Sequence, residues 1–169
     1  DRKELITTLT SHPKTGQFSI PLSMCKDYYI HIYKDGFLFY AEMLPSHLLN
    51  NHQIVYMEVY LDQLANNTQF VLKEFPIEKH ENAIAKNLQR TLDDLYQLMI
   101  VHPHLNITLS MEVNAAKNTD ALHHQNTIDQ CAAYLKSKGI KANRIYSGTT
   151  LNNSNMKSNA KLYVNVINI

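Results

Sequence analysis

The 169-residue chain has no tryptophan, only two cysteines and only four glycines, and its formal net charge is +1. So few glycines leave no glycine-rich loop of the kind that holds phosphate groups. Lys and Arg are scattered along the chain, so the charge gives no indication of a nucleic-acid partner. No apolar run approaches the roughly 18 residues that suggest a membrane span. A hydrophobic content of 44% with 18% charged residues is typical of a globular protein.

The two cysteines lie far apart and match neither a metal-binding nor a redox spacing. Cys131 falls on the apolar face of a predicted helix, where we expect a small buried side chain. Cys25 lies in a polar turn, where we expect exposure. The two positions therefore predict no disulfide.

The first part of the chain has the pattern of strands. Residues 17–20 follow a glycine turn, and residues 28–33 and 37–40 flank Asp35-Gly36, which predicts a tight hairpin. Residues 54–61 alternate apolar and polar or aromatic side chains, which predicts a half-buried strand. Polar residues 66–68 then mark a break. We place the domain boundary there, with one domain at 1–65 and a second at 66–169.

The second part alternates strands with helices. A short strand at 70–75 is predicted to precede a helix at 79–101, in which apolar residues recur at helical spacing. The helix ends at His102-Pro103, since the residue before proline avoids helical geometry. The remaining predicted elements are a strand at 107–113, a helix at 120–138, a strand at 144–148, a polar loop at 149–159 and a strand at 161–169. The order predicts an α+β fold with two helices packed on one face of a mixed sheet.

Residues that could carry catalysis or bind a metal occur without the required arrangement. His123 and His124 are adjacent, so they point about 100° apart on a helix and predict exposed histidines at the helix start rather than zinc ligands. Asp93-Asp94 reads as a solvated helix face. No serine has the flanking glycines of a nucleophile elbow. We therefore predict no enzyme activity, no catalytic residue, no metal site and no cofactor.

Three segments of the second part carry a family resemblance. They are residues 103–109 (Pro-His-Leu-Asn-Ile-Thr-Leu), 134–140 (Tyr-Leu-Lys-Ser-Lys-Gly-Ile) and 143–145 (Asn-Arg-Ile). Their order and content resemble the OmpA C-terminal-like domain, a peptidoglycan-binding module of Gram-negative envelope proteins. The resemblance covers about the last 100 residues. It implies the α+β fold described above and a pocket for the diaminopimelate of the peptide stem.

The polar residues that bind this ligand in the family are replaced. The family's Asp after the strand aligns with Asn114, and its Arg on the next helix aligns with Thr127, beside His124. The family's closing Asn-Arg-Arg-Val aligns with residues 159–162, which places Asn159 and Lys161 at the pocket. The resemblance therefore implies a degenerate pocket in which Lys161 is the best candidate for a substitute charge.

The first part resembles another family. Residues 15–22 and 28–39, rich in aromatic side chains and with a turn at Gly36, resemble the latter half of a carboxypeptidase-regulatory-like β-sandwich. In Bacteroidetes-type envelope proteins this module often precedes an OmpA-like domain. The opening strand of the module is missing, and the chain begins without Met, so we expect a fragment or a processed form. Tyr28, Tyr29, Tyr33 and Tyr40 suit either the core of this module or a partner-binding patch.

Two functional hypotheses follow. The preferred one is a non-catalytic scaffold of the cell envelope whose peptidoglycan site is lost or repurposed, acting through protein–protein contacts in an outer-membrane or secretion assembly. The alternative is a peptidoglycan anchor with an altered pocket formed by Asn114, Thr127 and Lys161. Both place the protein in the periplasm, associated with the outer membrane, and neither involves nucleic acid.

Overall fold

The structure is a computed structural model that describes residues 5–49, 54–76, 81–114, 118–148, 150–152 and 159–169. These residues form an α+β fold. The strands are β1 (Tyr28–Ile32), β2 (Tyr40–Leu44), β3 (Gln69–Pro76), β4 (Asn106–Asn114), β5 (Ile145–Ser147), β6 (Thr150–Asn152) and β7 (Asn159–Asn168). The helices are α1 (Glu81–Val101) and α2 (Asn118–Ser137), with short 3₁₀ helices at Ser46–Leu49 and Ala142–Arg144.

The larger sheet is mixed and has the strand order β3-β7-β4-β5. Strand β7 runs antiparallel to both of its neighbours, whereas β4 and β5 run parallel. Strand β6 continues alongside the later part of β4, with Val113 opposite Leu151. We expected only a polar loop at 149–159, before the last strand. That prediction missed β6, because three residues are too few to show a periodic pattern.

One face of this sheet carries the core. Ile107, Leu109 and Met111 of β4 are buried, and they lie opposite three buried residues of β7. Those partners are Val166, Val164 and Leu162, in that order. Period-two alternation in both strands thus places all six apolar side chains on the same face. Both helices contribute to the same core cluster, so they pack on that face, as expected.

The two helices bury the residues that their spacing indicated. In α1 the buried positions include Leu88, Leu92, Leu95 and Met99, and in α2 they include Ile128, Cys131, Ala132 and Leu135. Ile84, also expected to face inward, has a side chain outside the described part. Exposure of Cys25 and burial of Cys131 are confirmed, and both thiols are free.

Both helices end where the sequence predicted. After α2, Gly139 has a φ of 105°, its N–H donates to the Lys136 carbonyl, and the Ile140 N–H donates to the Leu135 carbonyl. This pair of hydrogen bonds is a Schellman motif, which needs a residue with positive φ. After α1, the Arg144 guanidinium donates to the carbonyls of Met99, His102 and Leu105 at 2.8, 2.8 and 3.0 Å.

The first part of the chain departs from expectation. Strands β1 and β2 form a two-stranded sheet, but residues 33–39 connect them, so the predicted two-residue hairpin is wrong. A turn does occur at Asp35-Gly36, where the Phe37 N–H donates to the Lys34 carbonyl at 3.1 Å and Gly36 has a φ of 77°. The strands predicted at 17–20 and 54–61 are not formed. In the part of the chain that the structure describes, neither segment belongs to either sheet.

The chain divides into two compact units. One comprises residues 1–30 and 42–58, and the other comprises residues 31–41 and 59–169. The second unit thus contains the sheet, both helices and two shorter segments that the sequence-based boundary assigns to the first domain. Leu38 and Leu64 of those segments belong to the core cluster. The boundary at 65/66 itself stays a prediction. Within the described residues, neither helix has the length and apolar character required to cross a bilayer.

Candidate functional site

Two of the predicted pocket residues lie on α2 and are buried. Thr127 is 5% exposed and His124 is 2% exposed. The prediction of an exposed helix-start histidine at 124 is wrong. Helix α2 begins at Asn118, so His124 lies in its second turn, and four residues before the buried Ile128 it shares the core-facing side of the helix. The His123 side chain lies outside the described part.

Lys161 lies on the other face of the sheet. It precedes Leu162, whose side chain points into the core, and successive side chains of a strand point to opposite faces. Its Cα partner on β3 is Glu74. Since α2 packs on the core face, the sheet separates Lys161 from Thr127. The structure therefore does not bring these two predicted pocket residues together.

The two asparagines of the predicted pocket stand at strand ends. Asn114 is the last residue of β4 and pairs with Asn152 of β6. Asn159 is the first residue of β7 and pairs with Pro76 of β3. The side chains of both asparagines lie outside the described part. Their backbone positions place them on β4 and β7, which are neighbours in the sheet.

A groove of about 360 Å³ lies beside Thr127, between α1 and α2. Its lining residues are Leu92, Thr127, Gln130, Cys131, Ala133, Tyr134 and Ser137. No acidic or basic residue is among them, and burial raises the pKa of the Cys131 thiol to about 12, which keeps that thiol neutral. A groove with this lining suits an apolar group better than a zwitterion.

A polar network connects α1 and α2 beside this groove. The Tyr134 hydroxyl donates to the Asp93 carboxylate at 2.7 Å, and the Lys138 ammonium lies 3.5 Å from the same oxygen. The ammonium also lies 5.2 Å from the centre of the Tyr134 ring. Interaction with Tyr134, followed by the charge of Asp93, raises the pKa of Lys138. The network orients Tyr134 at the groove wall.

Asp94 is 6% exposed, so the expectation of a solvated Asp93-Asp94 face is wrong for this residue. The His31 Nε2 atom lies 3.8 Å from its carboxylate, and the His31 ring lies 5.6 Å from that of Phe39. The segment carrying both rings belongs to the same compact unit as α1 and covers Asp94. The sequence contained one indication that Asp94 is buried, because Leu98, which is also buried, follows it by one helical turn.

Side chains suited to metal binding are dispersed. In residues for which the structure gives a position, no three His, Cys, Asp or Glu side chains are grouped to hold an ion. His102 lies 4.0 Å from Asp35, which is almost fully exposed, and His104 is exposed. The four tyrosines considered for a patch divide evenly, with Tyr28 and Tyr40 half-buried and Tyr29 and Tyr33 exposed.

No protein-family model matches the chain, and no curated protein matches its sequence.

Proposed function

We propose that this chain is a non-catalytic interaction module of a bacterial cell envelope, with an OmpA-like domain whose peptidoglycan site is lost or repurposed. The motifs at 103–109 and 134–140 support the family, and the family supports a periplasmic location at the outer membrane. The role is a protein–protein contact within an envelope assembly.

One observation supports the proposed loss of the peptidoglycan site. Thr127, which aligns with the family's carboxylate-binding Arg, is a buried neutral residue, and Lys161 lies on the opposite face of the sheet. A zwitterionic ligand requires a charged partner for each of its ends. Replacing two such partners costs about 2 kcal/mol each, or roughly a thousandfold in affinity together.

An NMR titration with a diaminopimelate-containing muropeptide tests this proposal. We expect no amide shifts at Asn114, Thr127 or Lys161 at about 10 µM ligand, since a dissociation constant weakened a thousandfold, from micromolar to about 1 mM, leaves roughly 1% of the sites occupied. Saturable shifts at these residues at micromolar ligand would instead establish the alternative, a peptidoglycan anchor with an altered pocket.

A restored pocket provides the matched positive test. The double variant Asn114→Asp/Thr127→Arg returns the two charged residues that the family uses, and we expect it to gain roughly a thousandfold in muropeptide affinity. The control is Asn114→Asp/Asn126→Arg, which adds the same charges but places the Arg on the exposed side of α2. A folded Asn114→Asp/Thr127→Arg variant that gains no more than the control contradicts the OmpA-like assignment.

A further inference from the structure

The groove between α1 and α2 is open to solvent along α2, where Gln130, Ala133 and Ser137 are exposed. Its lining on α2 extends from Thr127 to Ser137, a distance of ten residues along the helix and thus about 15 Å. Its volume of about 360 Å³ is in the lower part of the range for small-molecule sites. A volume of this size spread over such a length suits a single chain of atoms better than a bulky ring system.

The lining is apolar apart from a few uncharged hydrogen-bonding groups. Leu92 and Cys131, which are both buried, form its apolar part together with Ala133. The Tyr134 ring is held in place because its hydroxyl donates to the Asp93 carboxylate at 2.7 Å. An acyl chain in this groove would leave water without removing the hydration of any charged lining residue.

A positive charge lies at the Ser137 end of the groove. Lys138 follows Tyr134 by four residues, and its backbone N–H donates to the Tyr134 carbonyl at 3.2 Å, so it continues the helical line that carries Tyr134. Its ammonium lies 5.2 Å from the centre of the Tyr134 ring, which lines the groove. Interaction with Tyr134, followed by the charge of Asp93, raises the pKa of Lys138, so the ammonium is charged at neutral pH.

The surroundings of Lys138 leave this end of the groove positive. Residues 136–141 contain three lysines and no acidic residue. Asp93, at 3.5 Å from Lys138, offsets one of these charges, and the C-terminus of α2 is equivalent to about half a negative charge. The Lys138 side chain is 43% exposed, so an anion can approach its ammonium from solvent while Asp93 keeps its contact. An apolar groove with a cationic end is complementary to a molecule with an apolar body and an anionic end.

We propose that this groove binds a free fatty acid of medium chain length, with the acyl chain along Leu92, Cys131 and Ala133 and the carboxylate at Lys138. The volume suits one chain, which favours a free acid over a two-chain membrane lipid. The site does not depend on the proposed function, because it follows from the geometry of α1 and α2 and not from alignment with a family.

An NMR titration of the purified chain with sodium octanoate tests the site. We expect saturable amide shifts at Ala133, Tyr134 and Ser137, with a dissociation constant of about 0.1 to 1 mM. Ala133→Phe fills the groove from an exposed position and should weaken binding at least about tenfold. Asn126→Phe, at an exposed position of α2 outside the lining, should leave binding unchanged. No saturation up to about 10 mM octanoate, or equal effects of the two substitutions, overturns the proposal.

Octanol has the same chain without the charge, so it tests the contact with Lys138. Lys138→Gln should weaken octanoate binding about threefold, which is typical of a partly exposed ion pair, and should leave octanol binding unchanged. Equal losses for the two ligands, or no loss for octanoate, would assign the groove to a neutral apolar molecule and contradict a carboxylate at Lys138.

Chain length and lipid source are tested separately. Hexanoate should bind at least about fourfold more weakly than octanoate, which is the effect of one buried methylene. Equal affinities would show that the acyl chain does not lie in the groove. Vesicles of dioleoylphosphatidylglycerol present the same chemistry as a membrane lipid, and we expect the chain not to co-sediment with them. Co-sedimentation that Ala133→Phe abolishes overturns the assignment to a free acid.

Discussion

Strand β4 and residues 54–61 have nearly the same sequence pattern, but only β4 forms a strand. In β4, Ile107, Leu109 and Met111 alternate with polar residues, and the strand lies inside the larger sheet between β7 and β5. Residues 54–61 alternate as regularly and are not part of a strand. The difference lies in the partners: alternation makes a segment able to pair, but a neighbouring strand and a core determine whether it does.

The same contrast holds for burial. Nearly all of the core cluster comes from residues between Leu72 and Val166, with Leu38 and Leu64 as the contributions from before it. The exposed large apolar residues include many from the first 60 positions, such as Leu5, Ile6 and Tyr56. We therefore expect substitutions in the sheet-and-helix region to have large effects and matched substitutions elsewhere to have small ones.

The largest expected difference is between the rates at which the two cysteines react with an alkylating reagent. Burial raises the pKa of Cys131 to about 12 from an ordinary value of 9.0, which lowers its thiolate fraction about a thousandfold at neutral pH. Cys25 is exposed. Alkylation of the native chain followed by mass spectrometry should modify Cys25 more than a thousandfold faster. Urea-unfolded chain, as the control, should be modified at both residues at similar rates. Similar rates in the native chain would mean that α2 does not bury Cys131.

Truncation of a core side chain should have the next largest effect. Leu95 is fully buried in α1, and Leu95→Ala should lower the free energy of unfolding by about 3 kcal/mol through lost burial and the cavity that remains. Tyr56→Ala, at an 88% exposed position, should change it by less than about 0.5 kcal/mol. Urea denaturation at low protein concentration measures both. Comparable losses would contradict the contrast between the two regions.

Helical and strand periodicity predicted the fold where the pattern had a core to face. The apolar spacing in α1 and α2, and the alternation in β4 and β7, were enough to identify each element and its buried side. Periodicity gave no sign of β6, which is three residues long. It also predicted a strand at 54–61, because the sequence of a segment does not reveal whether a partner lies beside it.

The predicted site came from alignment with a family, whereas the elements that carry it came from periodicity within the sequence. Alternation along β7 is enough to place Lys161 and Leu162 on opposite faces of the sheet. The separation of Lys161 from Thr127 also depends on α2 packing on the face that carries Leu162. Burial of His124 and Asp94 likewise depends on which segments cover the helices. These are tertiary contacts, and a pattern within one helix contains little information about them.

Replacement of Arg144 should have the third largest effect, a loss in the free energy of unfolding, because this residue connects the start of β5 to the end of α1. Its guanidinium donates hydrogen bonds to the carbonyls of Met99, His102 and Leu105, and desolvation lowers its pKa. Arg144→Ala leaves these carbonyls without that donor and should cost about 2 kcal/mol in urea denaturation. Arg144→Lys should recover only part of this, since a single ammonium cannot reproduce the planar geometry.

The control for Arg144 is Arg90, which lies on α1 with an exposed side chain. Arg90→Ala should change the free energy of unfolding by less than about 0.5 kcal/mol. Equal losses for the two alanine variants would show that the carbonyl contacts of Arg144 do not stabilise the fold.

Substitution of Gly139 should have the smallest of these effects on the free energy of unfolding. It tests whether the end of α2 depends on backbone conformation alone. Its φ of 105° disfavours any side chain, although an added Cβ would meet no atom within 4 Å. Gly139→Ala should therefore cost about 1 kcal/mol through backbone strain, without a steric clash. Gly139→Asn should cost less, because asparagine tolerates positive φ better than alanine does. If urea denaturation shows Gly139→Ala to be neutral, or Gly139→Asn to be the worse of the two, the Schellman geometry is not what ends α2.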